Sequence, residues 1–226
     1  MAQVQAKASD NGGSATTVVV SGLSASGAGN CLIAILFNSG GGADVISGVA
    51  DDQSQSWTKF GGTHNWGLSC WYKANTAAGV TSVTVTFSGA RYANMLVIER
   101  NDIPTSSVEA ATQTITQDVG TFTTWSSGNS GVPSQASCIA YGMAEVDSVT
   151  PAFAASGSWS PVSATGLTSG ERTSSGGIVT FWEEQVLSSA SAVAATGTCN
   201  SISYYDAGVW VFKLNASGIP VAWWTA

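Results

Sequence analysis

The chain is short of charge, of histidine and of closely spaced cysteines, and each shortage closes off a class of function. Only 9% of its 226 residues are charged, with seven Lys and Arg against 14 Asp and Glu, for a formal net charge of -7. Capture of nucleic acid rests on clustered cations that neutralise phosphates, and this composition does not supply them. The same scarcity argues against adsorption to an anionic membrane surface. No apolar run approaches the roughly 18 residues of a membrane-crossing helix, since residues 31–37 have the length of a buried strand. Helical periodicity is nearly absent too, because every window of apolar positions spaced by three and four is broken by Gly or β-branched residues.

Chemistry is equally thin. His64 is the only histidine and sits in a polar, Gly-rich turn, so any Ser-His or Cys-His mechanism depends on it alone. No GxSxG elbow is present. Cys31, Cys70, Cys138 and Cys199 have neither CxxC spacing nor neighbouring histidines, which argues against a metal centre. The preferred reading is buried free thiols; the alternative is a disulfide where the fold brings two strands together, as pseudo-symmetry could bring Cys31 and Cys138. Glu183 and Glu184 are adjacent in a strand and face opposite sides, so they are not the facing carboxyl pair of a glycosidase. Asp51 and Asp52 lie in a turn, where aspartate bonds backbone amides, in preference to a calcium site. No Gly cluster sits between a strand and a helix as phosphate loops require. The expectation is a non-enzyme with no catalytic residue, metal or cofactor. Residues 1–10 lack the apolar middle of a secretion signal, so the chain is expected to stay in the cytoplasm where it is made.

What the sequence does contain is a weak duplication. Residues 31–37, 57–60, 69–73, 82–87 and 92–99 recur in order as 138–143, 158–160, 178–183, 192–196 and 205–213. Cys31 and Cys138 fall at equivalent places in that alignment. Short strands repeated over about 110 residues point to pseudo-symmetric β architecture. In residues 82–87, Val83, Val85 and Phe87 alternate with Ser82, Thr84 and Thr86, the pattern of a strand between core and water. Residues 31–37 and 208–214 are apolar on both faces and belong between two layers. Turn clusters rich in Gly, Ser and Asp recur every 8 to 12 residues, as in sandwiches and jelly rolls.

The expected fold is therefore all-β, an antiparallel, jelly-roll-like β-sandwich built from two pseudo-symmetric halves. Residues 1–15 read as a flexible N-terminal arm. Residues 16–215 read as one duplicated sandwich, with halves at about 16–103 and 104–215 and a joint at 101–107 around Pro104. Residues 216–226 form a Trp-containing tail.

Nine tryptophans are the strongest functional clue. Trp57, Trp71, Trp159, Trp182 and Trp210 occupy repeated strand positions and read as core. Trp66, Trp125, Trp223 and Trp224 lie in less regular stretches rich in Gly, Ser and Thr. They are the candidate contacts to a partner or a glycan.

The order of an apolar strand, the turn and short aromatic strand of 51–60, the aromatic strand 71–74 and the segments 77–89 and 95–99 resembles a β-sandwich family. That family occurs in tailed-bacteriophage virion proteins and in bacterial secreted or surface proteins. The resemblance spans roughly residues 16–215, and its motifs specify a fold rather than a reaction. The turn at 51–56 departs from the family's compact hairpin. By resemblance, the chain is expected to be a virion structural protein, in particular a capsid decoration (cement) protein or head fibre. Such a protein forms homo-oligomers, contacts the major capsid protein or another virion protein, and joins particles assembled in the host cytoplasm. The rival expectation is a tail-tip receptor-binding protein or a secreted carbohydrate-binding module that stacks exposed tryptophans on glycan.

Overall fold

A computed structural model describes residues 3–39, 45–61, 67–147, 151–174 and 176–215. The first half contains β1 (Gln3–Asp10), β2 (Ala15–Ser21), β3 (Cys31–Asn38), β4 (Ile46–Asp51), β5 (Thr58–Lys59), β6 (Leu68–Lys73), β7 (Ser82–Arg91) and β8 (Ala93–Arg100). The second contains β9 (Thr114–Ser126), β10 (Cys138–Asp147), β11 (Ala154–Ala155), β12 (Ser160–Pro161), β13 (Glu171–Thr173), β14 (Ile178–Leu187) and β15 (Thr196–Lys213). The protein is all-β, with antiparallel sheets packed as a β-sandwich and no helix among the described residues.

Three sheets are stacked. An outer sheet in the order β2-β7-β4 covers a five-stranded sheet in the order β1-β8-β3-β6-β5. Behind it lies a third sheet, β11-β15-β10-β14-β12, to which β13 and β9 add. Alternation decides which side chain enters which layer. Leu32, Ala34 and Leu36 of β3 meet Val83 and Val85 of β7 in the first core. Ile33 and Ile35, one residue out of phase, meet Tyr141, Met143, Trp182, Trp210 and Phe212 of the second half. All eight residues of β3 and of β8 are buried, because each strand lies between two layers. The opposite face of the third sheet, including Ala140, Ala144, Val209 and Val211, closes a further core with Trp125, Phe153 and Phe181.

The duplication appears in the register. The Phe60 N–H donates to the Cys70 carbonyl at 2.9 Å, and the Val162 N–H donates to that of Trp182 at 2.9 Å. Cys70 lies opposite Ile35 and Trp182 opposite Met143, which aligns Ile35 with Met143. Cys31 then corresponds to Ile139, not to Cys138. A one-residue slip changes the face, and the two thiols accordingly enter different cores.

The N-terminal segment is not a free arm. Its described residues 3–10 pair with β8, with Ala6 opposite Ile98 and Ala8 opposite Leu96. Ala6 and Ala8 turn inward at 9% and 4% exposure. On the other edge, the Ala8 N–H donates to the Thr165 carbonyl at 2.8 Å and the Thr165 N–H donates to the Ala6 carbonyl at 3.1 Å, so the second half covers β1. Asn11 then carries the chain into the outer sheet. Its Nδ2 donates to the Arg91 carbonyl at 2.6 Å and its Oδ1 accepts from the Ala93 N–H at 3.1 Å, bridging the point where β7 passes into β8. In the second half the corresponding break is missing. β9 pairs with one end of the 18-residue β15, Thr114 opposite Val209, and with the other, Ser126 opposite Thr196, with register shifts between Thr198 and Tyr204.

Candidate functional site

The joint continues past residue 107 as an extended stretch, residues 108–112, bonded on both sides. The Lys213 N–H to Val108 carbonyl and Ala110 N–H to Val211 carbonyl contacts, both 2.8 Å, hold residues 108–110 along the end of β15. A second segment, 131–134, is tied to the joint by the Gly131 N–H to Thr112 carbonyl bond at 3.0 Å and the Ser134 N–H to Ala110 carbonyl bond at 2.8 Å. A Cβ on Gly131 would fall 2.3 Å from Thr112 Oγ1 and 3.1 Å from the Thr112 amide nitrogen, so a larger residue would push Thr112 aside.

These segments and Gly61 enclose an open groove of about 540 Å³ lined by Gly61, Glu109, Ala110, Ala111, Thr112, Gly131, Val132 and Ser134. Glu109 is the ionisable group of the lining. Its Oε1 accepts from the Gly61 N–H at 3.2 Å and from the Tyr72 hydroxyl at 3.1 Å, which links the joint to the first half. Burial, followed by the Glu109 charge, pushes the Tyr72 phenol up, so it remains a donor. Tyr72, Phe60 and Phe212 meet edge to face behind the groove, with ring centroids 5.0 to 6.3 Å apart. Val132 stands 69% exposed on the rim. The lining is made of small residues backed by these aromatic rings. Of the Glu109 carboxyl, Oε1 is the oxygen that holds the Gly61 and Tyr72 donors.

Other ionisable groups are buried between or beside the sheets. Arg100 donates through Nε and Nη2 to both oxygens of Asp102, each at 2.8 Å, and through Nη1 to the Tyr141 hydroxyl at 3.1 Å. Glu184 lies 3.9 Å from Arg100 Nη1. Burial works against the Arg100 charge, but Asp102 and Tyr141 outweigh it and its pKa moves up. Glu183 faces the opposite way, where its Oε1 accepts the Thr196 N–H at 3.0 Å. Burial pushes that carboxyl up to about 9 against this one bond. All four cysteines are buried free thiols, with Cys31 pushed up to about 12 by burial against the pull of Arg100.

Asp51 organises its turn. Its Oδ1 accepts from the Gln53 and Gln55 N–H groups at 3.0 and 3.1 Å, and its Oδ2 from Trp57 Nε1 at 3.0 Å. Asp52 accepts from the N–H and hydroxyl of Thr81.

Of the candidate tryptophans, Trp125 requires correction. It is 2% exposed, with its ring edge-on to Phe153 and Phe181 at 6.2 and 6.0 Å. Its position opposite Gly197 at the far end of β9 points it into the core, so it packs instead of binding a ligand. Trp66, Trp223, Trp224 and His64 lie outside the described residues. The core assignments of Trp159, Trp182 and Trp210 agree with exposures of 7%, 0% and 0%. Trp57 and Trp71 are half-buried against the first core. Compared with known proteins, the chain matches no family model and no curated protein.

Proposed function

We propose that the chain is a non-enzymatic bacteriophage virion structural protein, a capsid decoration protein or head fibre that binds the shell and stabilises it. The reading starts from the sequence resemblance. The observation that supports it best is the groove at the joint, whose lining is small, uncharged apart from Glu109, and anchored to both halves. A decoration protein docks on many equivalent sites, and a rigid groove that accepts an extended segment loses little ordering entropy on binding. Bridging neighbouring capsid subunits adds interface that must break before the shell opens under internal DNA pressure. Oligomers of the protein would multiply weak single contacts into avid ones.

The test is particle stability. Particles lacking this protein are expected to release DNA at a lower temperature than complete ones, and adding the purified protein back should restore the difference. Equal release temperatures, with no co-sedimentation of the protein and particles, would refute the reading. Binding of the isolated protein to glycan would transfer it to the receptor-binding class.

A further inference from the structure

The sequence holds one Asn-Gly pair, Asn11-Gly12, and the fold places it at a crossing between sheets. Asp10, the last residue of β1, lies opposite Asn94 of β8, and Ala15, the first of β2, lies opposite Arg91 of β7. Residues 11–14 therefore carry the chain from the five-stranded sheet to the outer one, alongside the point where β7 passes into β8.

Asn11 is fixed there by both ends of its amide. Nδ2 donates to the Arg91 carbonyl at 2.6 Å, Oδ1 accepts from the Ala93 N–H at 3.1 Å, and the Asn11 N–H donates to the Ala93 carbonyl at 3.3 Å. A carbonyl on one side and an N–H on the other ask for a donor and an acceptor at once, which an amide supplies and a carboxylate does not. The next N–H, that of Gly12, donates to Asp10 Oδ1 at 2.6 Å, while Asp10 Oδ2 pairs with Arg172 Nη2 at 2.7 Å.

An Asn-Gly pair is open to spontaneous deamidation, because glycine has no side chain to obstruct attack by its own nitrogen on the preceding amide. Gly12 is exposed, has a φ of 64°, and a Cβ on it would meet nothing within 4 Å. In the reaction the Gly12 nitrogen gives up its proton and bonds Asn11 Cγ, the Cγ–Nδ2 bond breaks, and Nδ2 leaves as ammonia with that proton. Water then opens the ring at either carbonyl, adding its hydroxyl to carbon and its proton to the Gly12 nitrogen, and leaves aspartate or isoaspartate. In the folded chain the reacting atoms are committed elsewhere. The Asp10 carboxylate facing the Gly12 N–H opposes loss of its proton, and the short bond to Arg91 holds Nδ2 in a planar amide when it has to leave. The Ala93 N–H would also serve a tetrahedral oxygen, but attack waits on release of Gly12 from Asp10.

We propose that Asn11 is a modification site gated by the fold: its amide survives while β1 and β2 are docked, deamidates by reaction with water once their crossing opens, and as an acid no longer closes it. The product sets a negative oxygen against the Arg91 carbonyl in place of a donor, and isoaspartate also lengthens the backbone between β1 and β2. Each opening that ends in reaction is therefore one-way.

Peptide mapping by mass spectrometry on the full chain tests the gate. At mildly alkaline pH, conversion of Asn11 should run roughly ten- to a hundredfold more slowly in the folded protein than in chain unfolded in denaturant, because opening costs at least the two side-chain bonds. Chain refolded after conversion should exchange the amide hydrogens of β1 faster than chain refolded at once, with β14 as the unchanging reference. Asn11→Asp should reproduce that faster exchange. Equal or faster conversion in the folded protein would overturn the gate, as would undiminished protection of β1 in the converted chain and in Asn11→Asp.

Discussion

Arg100 of the first half donates from Nη1 to the hydroxyl of Tyr141 in the second, 3.1 Å away. Both side chains are buried, and the bond crosses the core that the halves share. Tyr141→Phe leaves Arg100 with Asp102 but removes this contact. The expected cost is about 1.5–3 kcal/mol, the range for a hydrogen bond to a charged group, measured by denaturant unfolding. Because one core serves both halves, the variant should still unfold in a single transition.

Glu183 makes stability depend on pH. Its folded value of about 9 lies above the ordinary 4.5 because burial opposes the charge. Its contribution is complete below about 4.5 and is lost progressively as pH rises towards 9. Glu183→Gln should flatten the fall in melting temperature across that window. An unchanged slope would mean that the buried carboxyl is already ionised.

The thiols should be silent. Burial raises Cys31 and Cys70 well above the usual thiol range, and the thiolate is the reactive form. A colourimetric thiol reagent at mild pH is expected to leave both unlabelled in the native protein and to label them after unfolding. Rapid native labelling would contradict their burial.

Trp125→Ala should behave as a core truncation. Removing a buried aromatic costs about 3–5 kcal/mol, here by opening the contact with Phe153 and Phe181. Trp125→Phe should cost less, since the indole N–H has no acceptor among the described residues. Equal stability of all three proteins would place Trp125 on the surface.

The layers were legible because the periods are local. Alternation in 82–87 became β7, with Val83, Val85 and Phe87 in the first core. Residues 31–37 and 208–214, read as apolar on both faces, correspond to the buried β3 and to the end of β15, which stops at Lys213. Pairing over long separations was not legible. β1 is fixed by partners about 90 residues away, and Asn11-Gly-Gly-Ser14 looks in sequence like the end of an arm. Trp125 sits among Ser and Thr, but its environment comes from Phe153 and Phe181. The groove draws on residue 61, residues 109–112 and residues 131–134, three segments with no shared motif.

The most direct test of the proposed role is where the protein sits on particles. Gold-labelled antibody raised against it would be applied to purified virions and imaged by electron microscopy. A decoration protein predicts label spread over the whole head. Label confined to the tail end, or absent from every particle, would contradict the account.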